Sequence, residues 1–481
     1  MDKQKLLDRV QTLRSSAREG ARGAIDKVNS FVDEGSFVEL DALVMTNGSC
    51  ESVVCGYATI FGSPVCIWAE EKSNGKGAMS STHAEKIIKL YNFAKKTGTP
   101  VICFPDALGA ELSEGIDVLG AYGKLISASA AISGVVPQIA VVTGECYGVE
   151  AIAALCADFV VALKGQTKLQ ASTDLVLDAS GRNKKQLESN LNAYASYVAE
   201  DMEDCIYTVQ QLVMMLPQNN MADSPELETE DDMNRVIPEL KEIAVSEEQK
   251  DIREVVRHTA DEGQFLELYS QYAKEIVVGF STFGGMTAGV VATQKTENKG
   301  KLTAQSAAKA ADFIRFCDSF HIPVVTFVDT KGFEVSLKQE KRLALTAQKK
   351  LAGAYANATT ALITIVLSEA IGSGYVVMGS KDCGADMVYA WPTAVISPLS
   401  IEAAADVFYE EEMNQAANMA AARREFEQKY VEEHALALVA AEKGYIDNVI
   451  APETTRIWVI SALMALHGKR SFGIPKKHST L

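Results

Sequence analysis

Two short stretches carry the residue types best suited to chemistry. "GECYGVEA" spans Gly144 to Ala151, and "SEAIGSGY" spans Ser368 to Tyr375. Each follows an apolar, β-branched run and puts glycine just before residues of helical character. Glycine there lets backbone N–H groups converge on one oxygen at the positive end of a helix dipole. Such a pair is an oxyanion hole, useful wherever an enolate or similar anion develops. The plainer reading is a tight strand-to-helix turn. One such turn alone would favour it, whereas two in register favour function. Other chemistry is poorly supplied. His83, His258, His321, His434, His467 and His478 are scattered without ligand spacing and read as surface or helix-packing residues, so no metal is expected. There is no G-x-S-x-G, no Walker loop and no evident acid–base pair.

The elements that must position these turns are legible as an alternation. "PVICFP", "QIAVVTG", "PVVTFVD" and "ALITIVLS" are short apolar runs ending in Gly, Asp or Ser, and they predict strands buried on both faces. Ser81 to Lys96 and Ser306 to Phe320 lie between them with apolar residues near helical spacing. Strand, glycine, helix, strand is an α/β pattern.

The pattern occurs twice. "DEGSFVEL" (Asp33 to Leu40) is answered by "DEGQFLEL" (Asp261 to Leu268). Pro100 then meets Pro323, Asp106 meets Asp329 and Gly109 meets Gly332 at a constant displacement, which drifts by one residue where the two glycine turns align. A chance match would not hold register across so many segments, so the chain is read as two copies of one fold rather than a short-period solenoid. The expected organisation is an N-terminal half over 1–222, an acidic connector over 223–250 and a C-terminal half over 251–481. The tail "GIPKKHSTL" is basic and expected to be extended.

Composition sets the class. With 481 residues, 47% hydrophobic and 23% charged, the chain is long enough for two sizeable cores. No apolar run reaches the ~20 residues a bilayer span needs, and the first residues are polar, so a soluble protein is expected. Nine cysteines without C-x-x-C spacing, mostly inside apolar runs, suit reduced thiols in a cytoplasm. A formal charge of −17 argues against a nucleic-acid partner, and any polyphosphate ligand would need a local basic patch.

Taken in order, "THAEKI", "LGAYGKL", "SGVVPQIAVVTG", "LPQNN", "VVTFVDTKGF", "AYANAT", "YVVMGSKDCGADMVYAWPTA" and "AAEKGYIDNVIAPETTR" resemble the carboxyltransferase subunit of biotin-dependent acyl-CoA carboxylases, of the propionyl-CoA carboxylase beta chain type. The resemblance covers nearly the whole chain and is weakest between Lys164 and Tyr197. It implies two tandem crotonase-like domains, each with layered β-sheets wrapped by helices. It also implies a dimer-to-hexamer assembly whose sites form between the N-half of one subunit and the C-half of another. The N-half hole would hold the enolate of an acyl-CoA thioester, and the C-half hole the ureido oxygen of carboxybiotin. Biotin would arrive on a separate carrier protein, charged by a biotin carboxylase subunit. Carried over by residue, the catalytic donors fall on Gly148 and Val149 in the N-half and on Ser373 and Gly374 in the C-half. Substrate-binding positions fall on Gly109, Ala110, Gly148, Gly372 and Val376.

The chain also departs from that pattern. Gly148-Val149-Glu150 stands for a Gly-Gly-small run, Glu111 for an arginine, and Thr346-Ala347 for an Arg-Arg pair, although Lys349 and Lys350 are close. A carboxylate of Glu150 within ~4–6 Å of an enolate would oppose it by several kcal/mol; alternatively Glu150 points into solvent along its helix. Three functions follow: a carboxyltransferase acting on propionyl- or acetyl-CoA, the alpha subunit of a sodium-pumping methylmalonyl-CoA-type decarboxylase with membrane partner subunits, or a non-catalytic scaffold.

Overall fold

The apolar runs become buried strands and the periodic stretches become helices, in two units of one plan. The computed structural model describes residues 3–46, 49–70, 78–106, 109–172, 185–246, 248–416, 418–469 and 471. It divides into Met1–Ala222 and Asp223–Leu481. The expected extended tail over 473–481 lies outside the described residues.

In the first unit, helices α1 (Lys3–Gly20) and α2 (Arg22–Phe31) precede strands β1 (Val38–Leu40), β2 (Val54–Ile60) and β3 (Ser63–Ala69). Helix α3 (Ser81–Thr97), β4 (Val101–Phe104), helix α4 (Asp117–Ala130), β5 (Gln138–Val142) and β6 (Glu145–Tyr147) follow. The short helix α5 (Gly148–Ala154) leads to β7 (Phe159–Leu163), β8 (Lys168–Gln170) and β9 (Tyr197–Ala199). The main sheet runs β1-β2-β3-β4-β5-β7-β9, and β6 pairs with β8 in a small second layer. The two pairings at the β1 edge are antiparallel and the rest of the main sheet is parallel. Every residue of β4 and β5 is buried, as strands covered on both faces must be. Helix α3 starts because Ser80 accepts the His83 N–H at 3.0 Å, and it stops at Gly98, whose φ of 66° reverses the chain.

The second unit repeats the order. Its main sheet runs β10 (Leu266–Leu268), β11 (Ile276–Phe283), β12 (Met286–Thr293), β13 (Val324–Thr330), β14 (Leu362–Ile371), β15 (Met387–Ala390), β17 (Asn448–Val449). Again two antiparallel pairings precede parallel ones. The end of β14 bends to pair with β16 (Val395–Ser397), as β6 does with β8. Helix α6 (Pro238–Val245) comes before this sheet and α7 (Ala304–Ser319) matches α3. Helix α8 (Gly372–Val377) matches α5, and α9 (Thr455–Leu466) closes the described core.

The repeated "DEG" has a structural role in both units. Asp33 accepts the N–H groups of Phe61 and Gly62, each at 2.9 Å, and the Thr59 hydroxyl at 2.6 Å. Asp261 accepts those of Gly284 and Gly285, each at 2.8 Å. Each aspartate thus pins the hairpin between the second and third strands, whose two turn residues both have positive φ (48° and 77°; 61° and 80°).

The acidic stretch expected as a connector folds with the second unit. Leu227 donates its N–H to Gly285 O at 2.8 Å, and Arg235 forms a two-point pair with Asp231 at 2.7 and 2.8 Å. The fully buried Arg456 of α9 donates to Asp232 O at 3.2 Å and lies 2.6 Å from the Asp261 carboxylate. Among the described residues no helix is long and apolar enough to cross a membrane.

Candidate active site

In open α/β sheets, ligands bind where loops leave the carboxyl ends of parallel strands. Both glycine turns lie there. In the second unit β14 ends at Ile371, and Gly372 opens α8 with φ 58°. In the first unit Gly148 opens α5 with φ 59°. The two turns share a burial pattern: Val149 and Ser373 are exposed, while Glu150 and Gly374 are buried. An L side chain rarely adopts such a φ, so glycine at 148 and 372 is a backbone requirement.

The second unit shows why glycine is needed again at 374. A Cβ there would lie 2.7 Å from Gly332 Cα and 3.3 Å from Thr330 Cγ2. The structure therefore brings Gly374 against the Gly332 loop, held in place by the Leu302 N–H donating to Gly332 O at 2.9 Å. Val376 is 51% exposed beyond the turn. Beside it, Lys295 reaches Asp329 and Glu369, each at 2.9 Å, and Asp329 also accepts the Glu369 N–H at 3.0 Å. Thr346 is exposed and Ala347 buried, and Lys349 and Lys350 are exposed.

In the first unit, Gly109 has φ 104° and its carbonyl accepts the Met79 N–H at 2.8 Å, with Ala110 bridged to Met79. This repeats the Gly332–Leu302 contact. Glu111 caps the turn that follows it, accepting the Ser113 N–H at 3.1 Å and its hydroxyl at 2.6 Å, which holds its carboxyl below the ordinary range. Nothing in that geometry turns Glu111 toward a substrate.

Glu150 departs from the solvent-facing alternative. It lies in the first turn of α5 but is only 3% exposed, and its carboxyl hydrogen-bonds that of Glu70 at the end of β3. The helical period at this position turns the side chain inward, across the strand ends. Glu70 also accepts the Asp106 N–H at 2.7 Å, and its other oxygen lies 3.0 Å from His83 Nε2. Burial pushes Glu70 up to about 7 and His83 down to about 4. The His83–Glu70 contact is thus a hydrogen bond of a neutral imidazole at neutral pH, rather than an ion pair. His83 Nδ1 faces Glu51 at 3.7 Å and has no hydrogen-bond partner among the described residues.

Sequence reasoning missed Glu70, His83 and Asp106 as a group and found no acid–base pair. Their one local signal is position: Glu70 ends an apolar strand and His83 sits on the buried face of α3. Among the described residues no cluster of side chains could hold a metal ion.

The chain matches the model of the carboxyl transferase domain over residues 15–481. It is 34% identical to the methylmalonyl-CoA decarboxylase subunit alpha of Veillonella parvula, covering 96% of this chain and 93% of that one. It is 33% identical to the propionyl-CoA carboxylase carboxyltransferase subunit of Haloferax mediterranei, covering 98% and 99%. The solved transcarboxylase 12S, described as a hexamer with methylmalonyl-coenzyme A and methylmalonic acid bound, superposes with a TM-score of 0.92 at 31% identity, covering 99% and 97%. A duplicated α/β fold with two matching glycine turns, matched over its length by these proteins, belongs to the carboxyl transferase domain family.

Proposed function

We propose that the chain is the carboxyltransferase component of a biotin-dependent acyl-CoA carboxylase, moving a carboxylate between carboxybiotin on a separate carrier and the α carbon of a short acyl-CoA such as propionyl- or acetyl-CoA. The observation that carries this reading is the duplicated turn, Gly148 at φ 59° and Gly372 at φ 58°, each opening a helix at a strand end. Backbone N–H groups of Gly148 and Val149 hold the thioester oxygen as it gains enolate charge. Those of Ser373 and Gly374 polarise the ureido oxygen of biotin. A cradle that a single Cβ would fill at Gly374 fits a flat urea ring better than a bulky group. When bound, biotin supplies the carboxyl group and receives the α-proton. The chain's own part is to orient two oxygens and stabilise their charge, for which oxyanion-hole donors are suited. Gly109 and Ala110 border the acyl-CoA side, and apolar Val376 favours a small apolar acyl group.

A partner surface supports self-association. Leu112, Ile116 and Ile152 in the first unit are 86%, 80% and 55% exposed, and Val335, Leu337 and Val376 in the second are 91%, 81% and 51% exposed. Both sets lie next in sequence to the site loops, and apolar groups this exposed commonly mark interaction sites. They suit an assembly of dimer size or larger in which each site is completed by a second copy, with carrier and biotin carboxylase as further partners. The likeness to the Veillonella subunit favours a second reading, the alpha subunit of a methylmalonyl-CoA-type decarboxylase. The test is CO₂ release from malonyl- and methylmalonyl-CoA in the presence of free biotin, followed by the reverse carboxylation with carboxybiotin. Turnover in both directions supports the carboxyltransferase, decarboxylation alone the second reading, and none with any thioester a scaffold.

A further inference from the structure

Glu150 is the third residue of α5, two positions after the left-handed Gly148. Its partner Glu70 is 1% exposed and is already engaged at both oxygens, by the Asp106 N–H and by His83. A hydrogen bond between two carboxyl groups requires a proton on one of them, and two bare carboxylates at this depth would repel strongly. The matching position of the other unit is Gly374, which has no side chain and is packed on the Gly332 loop instead. The first turn of α5 is therefore tied to the sheet by a device that α8 lacks.

We propose that Glu150 is a positioning residue: the proton it shares with Glu70 ties the Gly148–Val149 turn to the end of β3, and its loss releases the turn and misaims the backbone donors. The surroundings decide whether another charge could replace that proton. From α2, Lys27 approaches, but it is paired with Asp106 at 3.4 Å. From α3, Lys86 donates to Val53 O at 2.6 Å, and neutral His83 faces the pair. Glu51 lies on the far side of His83. Tyr122 of α4, Cys103 of β4 and Cys146 of β6 also face these carboxyls; burial pushes all three up, and they stay neutral. Cys55 of β2, held up by burial in the same way, feels Glu70 as well. The sign follows: a carboxyl raised by burial keeps its proton below its folded value, so the tie is present at acid and neutral pH and is lost as pH rises through about 7.

The donor role in this inference rests on the acyl-CoA reading above, so the test has one arm that does not. Amide hydrogen exchange of the 145–155 segment, corrected for the intrinsic pH dependence, is measured from pH 6 to 9 in the wild type, Glu150→Gln and Glu150→Ala. A glutamine amide can donate to ionised Glu70 without a titrating proton. Protection in the wild type should fall as pH rises, stay level in Glu150→Gln and be low throughout in Glu150→Ala. In parallel, kcat for methylmalonyl-CoA decarboxylation should fall about tenfold per pH unit on the alkaline side in the wild type, and this fall should be absent in Glu150→Gln. Wild-type protection that does not change with pH, or an identical alkaline fall in Glu150→Gln, overturns the proposal. Protection that responds to pH in a protein inactive on every CoA thioester overturns the acyl-CoA reading and leaves the tie standing.

Discussion

Replacing Gly374 by alanine is the smallest change that tests whether the second turn does more than reverse the chain. The added Cβ would sit 2.7 Å from Gly332 Cα, 3.3 Å from Thr330 Cγ2 and 3.4 Å from Gly332 C. Two of these three atoms are backbone, so no side chain can swing away; α8 or the Gly332 loop must move by several tenths of an ångström. Overpacking of this kind costs about 1–3 kcal/mol of stability. The movement acts on the N–H groups of Ser373 and Gly374. If one donor is lost, about 2.7–4 kcal/mol of transition-state stabilisation goes with it, which is about 100- to 1,000-fold in kcat. The expected outcome is a folded protein with a lowered melting temperature and kcat for biotin-dependent decarboxylation down by at least about 100-fold. The assay is thermal denaturation beside steady-state CO₂ release with free biotin. Turnover within about threefold of wild type, with the melting temperature lowered as expected, would refute the donor assignment and leave Gly374 as packing only.

Gly123→Ala is the matching control: Gly123 is exposed on α4 with open space where a Cβ would go, and should gain about 0.5–1 kcal/mol in urea unfolding. The two repeat aspartates should differ although their sequence contexts agree. Asp261→Ala leaves the buried Arg456 short of its closest carboxylate and should cost about 3–5 kcal/mol, whereas Asp33→Ala removes a partly exposed turn cap worth about 1 kcal/mol, read from the same unfolding curves. Light scattering at micromolar concentration should show a dimer or larger, and Ile116→Glu should shift it toward monomer; a monomeric wild type would remove the shared-site assembly.

The duplication, the α/β class and the two glycine turns were all legible in the sequence, because each is a local property. Strand burial shows in runs such as "VICF" and "QIAVV", and a glycine before a helix announces the φ that only glycine adopts freely. Register between the halves then identified Gly148 with Gly372 before any contact was known. The extent of the second unit was less legible. Acidic composition suggested a connector, whereas a buried arginine more than two hundred residues later holds that segment down.

What only the tertiary structure decided are the contacts made between separate elements. Asp33 and Asp261 repeat in sequence, yet their hairpin partners lie 28 and 23 residues on in a different strand. Glu70, His83, Asp106 and Glu150 come from a strand end, a helix face, a loop and a second helix, and no spacing rule joins them. Sequence alone left Glu150 either at the substrate or in solvent. The fold turned it inward because α5 sits on the sheet with that face buried, and there a carboxyl needs a partner. Burial and pairing are properties of packed elements, so the chemistry of that carboxyl was settled only when strands β3 and β4 and helix α5 came together.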